Sequence, residues 1–163
     1  MTTIRAATAD DAALILSFVR ELAIYERETD AVKLTEAELA RDGLPGQGGE
    51  RYFEAIIAEE DGAPAGMALF FPVYSTWRGR AMHLEDLFVR PQFRGRGIGR
   101  KLLTKVAALS VERGCAVLFW HVLDWNTPAI EFYKTLGADW MDDWTRMRVS
   151  GEALTALASE VSP

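Results

Sequence analysis

One stretch constrains this chain more than any other: Leu84-Glu85-Asp86-Leu87-Phe88-Val89-Arg90-Pro91-Gln92-Phe93-Arg94-Gly95-Arg96-Gly97-Ile98-Gly99. A strand-like apolar run enters a glycine-rich, arginine-bearing turn, and the turn opens a helix predicted over Gly97 to Arg113. Ile98, Leu102, Val106 and Leu109 recur on one face of that helix, and Gly114 stops it. A turn of this kind points several unpaired N–H groups outward, and the helix N-terminus adds partial positive charge. Glycines let a bulky anion approach the backbone closely. Arg94, Arg96 and Arg100 can add charge-assisted hydrogen bonds. The pattern predicts a site for a phosphate or pyrophosphate.

The rest of the chain supplies an α/β frame around that turn. Ile4 to Ala6 reads as a short strand. Thr8 to Asp11 is a capping box ahead of an apolar stripe of Leu14, Phe18, Leu22 and Tyr25, helical through about Glu26. A second capping box, Thr35 to Glu38, opens a short helix around Leu39. Asp42 to Gly49 carries four glycines and a proline and reads as loop. Strands are predicted at Tyr52 to Ala58, Ala65 to Tyr74 and Met82 to Val89, with Asp61-Gly62 as the hairpin between the first two. Cys115 to Leu123 is apolar enough for a buried central strand. Asn126-Thr127-Pro128 predicts a capped helix that Gly137 ends. A strand near Thr145 to Val149 and a helix from Ser150 complete the reading. At 163 residues this is the size of a single domain over 1–163, and no repeat or linker divides it.

Composition narrows the partners. Eighteen basic against 24 acidic residues leave a net charge of −6. That balance disfavours nucleic acid and anionic membrane, and mildly favours cationic small molecules. No apolar stretch approaches the ~20 residues of a membrane span, and the start of the chain lacks a signal-peptide core. The expectation is a soluble, cytoplasmic protein. The single cysteine, Cys115, forms no intrachain disulfide, and with only His83 and His121 beside it no structural metal is expected.

Neither a P-loop nor a dinucleotide fingerprint fits the turn. A P-loop needs Gly-Lys-Ser/Thr, and the third fingerprint glycine falls on Arg100 or Leu102. What fits is Arg-x-x-Gly-x-Gly at Arg94, Gly97 and Gly99, which resembles the coenzyme A pyrophosphate loop of the GCN5-related N-acetyltransferase (GNAT) superfamily. Glu21-Leu22-Ala23-x-Tyr25-Glu26, Leu34-Thr35-Glu36, Leu84-Glu85-Asp86, Trp125-Asn126 and Phe132-Tyr133-Lys134-x-x-Gly137-Ala138 are similar to its spermidine/spermine acetyltransferase branch. Tyr74-Ser75-Thr76-Trp77-x-Gly79-Arg80 and Val122-Leu123-Asp124-Trp125-Asn126 resemble the thialysine-type members.

The resemblance implies a GNAT fold: a mixed, mostly antiparallel sheet with splayed central strands, flanked by helices, with acetyl-CoA wedged in the splay. Backbone groups near Leu87 and Val89 would pair with the pantetheine arm. Arg94, Gly95, Arg96, Gly97, Ile98, Gly99 and Arg100 would hold the pyrophosphate, and Asn126 would contact the cofactor near the thioester. Tyr133 matches the family's catalytic acid, and Glu85 its base, acting through water. Tyr25, Glu26, Trp77, Glu85 and Asp86 would line the amine site. A homodimer is the state the family commonly adopts.

The residues also admit other roles. Phe132 and Tyr133 can simply pack a helix, and strand alternation sends Glu85 and Asp86 to opposite faces unless a bulge intervenes. His83 is a rival base. Cys115 is a rival acyl carrier, although its place after Gly114 suits a small buried hydrophobe. Polyamine-specific relatives carry an acid two residues before the tryptophan, where this chain has Ser75. The reading is therefore direct acetyl transfer from acetyl-CoA to a primary amine of a small diamine or lysine-like amino acid. Polyamines are the alternative substrates, and a non-catalytic CoA-binding sensor is the alternative of another class.

Overall fold

The computed structural model describes residues 1–46, 50–143 and 145–161. Gln47, Gly48 and Gly49 of the glycine-rich loop therefore lie outside the described residues. Five strands form one sheet in the order β1-β2-β3-β4-β5: Thr2–Ala6, Glu54–Glu60, Ala63–Ser75, Gly79–Val89 and Val117–Trp120. The first four are antiparallel neighbours, and β5 is parallel to β4. This is the mixed, mostly antiparallel α/β sheet that the pattern predicts. Asp61 and Gly62 both take positive φ, 51° and 81°, which a two-residue hairpin turn between β2 and β3 requires.

Helices α1 (Ala12–Tyr25) and α2 (Glu36–Gly43) begin where the capping boxes place them. The Asp11 carboxylate accepts from Thr8 N and Oγ1 at 2.7 and 2.9 Å. Ile15, Leu16 and Phe18 of α1 join Leu39, Ile57, Met67, Leu69 and Phe88 in one apolar cluster. Strand residues of the other parity, Ile56, Ala58, Ala68 and Phe70, are equally buried. Helix α3 (Ile98–Glu112), whose Ile98, Leu102 and Val106 are fully buried, covers that second face. The parity rule of a strand thus assigns each β4 side chain to the α1 face or the α3 face.

Two expectations change. Cys115 to Leu123 yields only four strand residues, none of them buried, at the end of the described sheet rather than in its centre. The β4–β5 ladder stops at Leu84 and Trp120, beside a register shift in β4, and among the described residues the chain beyond Trp120 joins no ladder. Residues 145–149 form no strand. They are exposed and lack a ladder partner among the described residues, and an unpaired segment leaves its backbone to water. Helix α5, Gly151–Ser159, follows Ser150 as expected.

The β3–β4 ladder is tight at its far end. A Cβ on Gly66 would stand 2.3 Å from the Phe88 carbonyl oxygen, which is backbone and cannot move aside. Gly66→Ala is expected to lower stability by about 1–3 kcal/mol, the usual range for overpacking. A urea titration of the two proteins measures it.

Candidate active site

The pairing of strand β4 is interrupted on both edges. On the β3 side, Leu69 pairs with Asp86 but Phe70 pairs with Leu84, so Glu85 is the extra residue of a β-bulge. Phe71, Leu69 and Met67 lie on or against the α1-side cluster, and their partners His83, Asp86 and Phe88 share that face. Glu85, two residues from His83, shares its face, with Oε2 3.0 Å from His83 Nε2, and the bulge turns Asp86 to that side as well. Consecutive carboxylates that strict alternation would separate are thereby brought together.

Burial then divides them. Glu85 is exposed, whereas Asp86 is half-buried. Loss of hydration first, then the charges of Glu85 and Glu26, push the Asp86 carboxyl up to about 7. Glu26 follows the last turn of α1 and is itself raised, chiefly by burial and then by Glu28. Glu26, Glu85 and Asp86 therefore form one electrostatically coupled acidic patch, built from two elements. Of the consecutive pair, Asp86 is the more buried and Glu85 the exposed one. Sequence reading misses this, because the bulge that aligns the pair leaves no compositional mark.

On its other edge, β4 pairs with β5 only from Ala81 to Leu84. Among the described residues, 85–89 face no strand on that side. Leu87 and Val89 lie there as the strand runs into the glycine turn. Gly95 and Gly97 have φ of 76° and 75°, backbone that L side chains rarely adopt. Gly97 caps α3 without a side chain, so the first-turn N–H groups of Ile98, Gly99 and Arg100 have no intrahelical acceptor. A Cβ on Gly99 would stand 3.8 Å from the Val89 side chain, an ordinary contact distance.

The arginines of the turn have distinct surroundings. Arg94 Nε donates to the Val89 carbonyl at 2.9 Å, and its guanidinium stacks 4.8 Å from the Tyr25 ring centroid. Arg96 reaches the Gln92 carbonyl at 3.3 Å and covers Phe93, while Arg100 is exposed. Just before the turn, Arg90 locks β4 to α1. It donates to both Glu21 oxygens, to Ser17 Oγ and to the Pro64 carbonyl, over the face of Phe18. Neither the Arg94–Tyr25 stack nor the Arg90 fork is visible in sequence spacing, since their partners lie 69 residues away on another element.

Trp77 sits in the β3–β4 hairpin, 82% exposed. The Ser75 hydroxyl accepts from Trp77 N and Arg78 N at 3.3 and 3.2 Å and shapes that turn. Cys115 is half-buried after Gly114.

Asn126 and Tyr133 belong to a second compact unit that begins at Asp124. There Asn126 is buried and caps α4 (Thr127–Lys134), its side-chain oxygen accepting from Ala129 N at 3.4 Å. Tyr133 stands on α4 with its ring 5.3 Å from Phe132, and Gly137 ends the turn at φ 81°.

The model of the acetyltransferase (GNAT) family matches residues 18–138. The chain belongs to that family. Two full-length relatives are thialysine N-epsilon-acetyltransferases: that of Sus scrofa, 40% identical over 96% of this chain and 97% of its own, and that of Caenorhabditis elegans, 39% identical over 94% of each. A Homo sapiens spermidine/spermine N(1)-acetyltransferase-like protein is 32% identical over 96% of this chain and 24% of its own. Among solved structures, an integron cassette protein from the mobile metagenome of V. cholerae superposes with TM-score 0.77 at 27% identity, covering 98% of both chains. An aminoglycoside acetyltransferase from a soil metagenome shares the fold, with TM-score 0.75 at 15% identity. The protein is an acetyltransferase of the GNAT family, similar along its whole length to the thialysine enzymes. Among the described residues no helix is long and apolar enough to cross a membrane.

The raised Asp86 carboxyl has a stability signature. Between about pH 4 and 7 the folded acetyltransferase holds a proton there that the unfolded chain has lost, so stability falls as pH rises through this window. Asp86→Asn is expected to flatten that fall and to melt at a higher temperature than the parent at pH 8. Melting curves at pH 5 and pH 8 check it.

Proposed function

We propose that this acetyltransferase moves acetyl from acetyl-CoA directly to a primary amine of a small diamine or a lysine-like amino acid of the thialysine type. The observation that carries the reading is the layout of β4. An acidic patch at the bulge is followed at once by an unpaired strand edge and then by the arginine–glycine turn. Cation site, amide-pairing edge and anion site succeed one another along a single strand, as a cationic amine and a pantetheine-linked pyrophosphate require. The near full-length similarity to thialysine enzymes supports the amine class.

In this reading Leu87 and Val89 pair with the pantetheine amides. The turn from Arg94 to Arg100 holds the pyrophosphate through its N–H groups and guanidinium groups, and Asn126 contacts the donor near the thioester. Glu26, Glu85 and Asp86 attract the ammonium form of the substrate, with Tyr25 and Trp77 covering its carbon chain. A lysine-like ammonium has a pKa near ~10.4, so about one molecule in a thousand is the neutral nucleophile at about pH 7.4. Glu85 takes the proton through water. The amine nitrogen attacks the thioester carbon, the C–S bond breaks, and Tyr133 gives its hydroxyl proton to the departing thiolate. Cys115 carries no acyl group in this scheme. Ser75 in place of a carboxylate favours a substrate with fewer charges than spermine. The whole chain, 1–163, acts as one catalytic domain.

Release of free thiol from acetyl-CoA, measured against lysine, thialysine, ornithine, putrescine, spermidine and spermine, tests the substrate class. Turnover on thialysine or a small diamine above the polyamines is expected, and silence on every amine overturns the reading. Tyr133→Phe is expected to lower kcat by about 10²-fold. Arg94→Ala is expected to raise KM for acetyl-CoA about tenfold or more, since a hydrogen bond to a charged group is worth about 1.5–3 kcal/mol.

A further inference from the structure

We infer that His83 is a positioning residue for Glu85: its imidazole holds one carboxylate oxygen and thereby fixes the direction in which the other faces the substrate water. The inference rests on the reading of Glu85 as the base. Its ground is a contrast between two side chains that touch at 3.0 Å, Nε2 to Oε2. Only 8% of the His83 side chain is exposed, against 46% of that of Glu85. A glutamate on an exposed bulge has several torsions free to wander, and a catalytic group must be held to a narrow range of orientations. Here the restraint comes from an imidazole that cannot itself turn.

The sheet shows why it cannot turn. His83 has Phe71 as its partner across the antiparallel ladder and Phe119 as its partner across the parallel one. Both rings stand 5.0 Å from the imidazole centroid, and the His121 ring stands at 5.3 Å. The ring is walled on both strand edges, with Nε2 directed along β4 toward the bulge. An ionised carboxylate only accepts hydrogen bonds, so Nε2 must donate whenever Glu85 is charged. That engagement removes His83 as a base for the amine and gives it a different task. A hydrogen bond donated by His83 to Oε2 leaves Oε1 as the Glu85 oxygen that takes the proton.

Two measurements separate this inference from the assignment of the reaction. Long-range proton–nitrogen NMR of the imidazoles reads the contact without turnover. His83 is expected to carry its hydrogen on Nε2, with that signal moving in Glu85→Gln. A hydrogen on Nδ1 only, or a signal indifferent to Glu85→Gln, overturns the inference whether or not any amine is acetylated. Kinetics then read the consequence. His83→Phe keeps the aromatic packing and removes the donor, and it is expected to lower kcat about tenfold while KM for acetyl-CoA stays within about twofold. His83→Gln, which restores an N–H, is expected to recover most of the loss. In a Glu85→Gln background His83→Phe is expected to change nothing further. An unchanged kcat in His83→Phe, or an equal drop in both backgrounds, overturns the positioning role. If the parent acetylates no amine, the proposed reaction fails while the NMR comparison still decides the contact. That comparison also stands if His83→Phe does not fold.

Discussion

The parallel pairing of β4 with β5 lasts four residues, and the open strand edge before the glycine turn depends on its ending there. Had the ladder continued past Leu84, the N–H and C=O groups of 85–89 on that edge would be spent on β5. Because it stops, a length of strand stays open beside the turn that Gly95 and Gly97 make possible. A sheet ordinarily hides such an edge, since unpaired backbone invites association. Here the opening sits inside a tightly held region, with Arg90 tying the end of β4 to α1 and Gly66 letting β3 approach the Phe88 carbonyl closely.

The bulge at Glu85 performs a second task on the same strand. It cancels the alternation that would set Glu85 and Asp86 on opposite faces, and it leaves one exposed and one half-buried carboxyl side by side. Environment then separates their behaviour. Asp86 is pushed up to about 7 by burial and by its acidic neighbours, while Glu85 leans on a walled imidazole. Two neighbouring carboxyls thus meet different surroundings on one strand.

Much of this frame is legible in the residues. The caps at Thr35 and Asn126, the Asp61-Gly62 hairpin and the strand–turn–helix around Arg94 are local signals, and each element begins within a few residues of its signal. What escapes a sequence reading is set by partners far away. The run from Cys115 to Leu123 has the composition of a long buried strand, but its length is set by where β4 stops pairing. Thr145 to Val149 has strand propensity but no neighbour to pair with among the described residues. The acidic patch follows the same rule. Glu26, Glu85 and Asp86 can each be picked out as polar residues in suspect places, but which one is buried depends on a one-residue register shift.

Ser75 shows how one side chain can be bound into a turn. Its hydroxyl accepts from two N–H groups and closes the hairpin that carries Trp77. An aspartate accepts from the same positions in an Asx-turn, so the hairpin tolerates that exchange without reshaping. The backbone is thereby neutral to a change that would add negative charge beside the tryptophan. The charge at this corner can change by a single substitution while the sheet beneath it stays as it is.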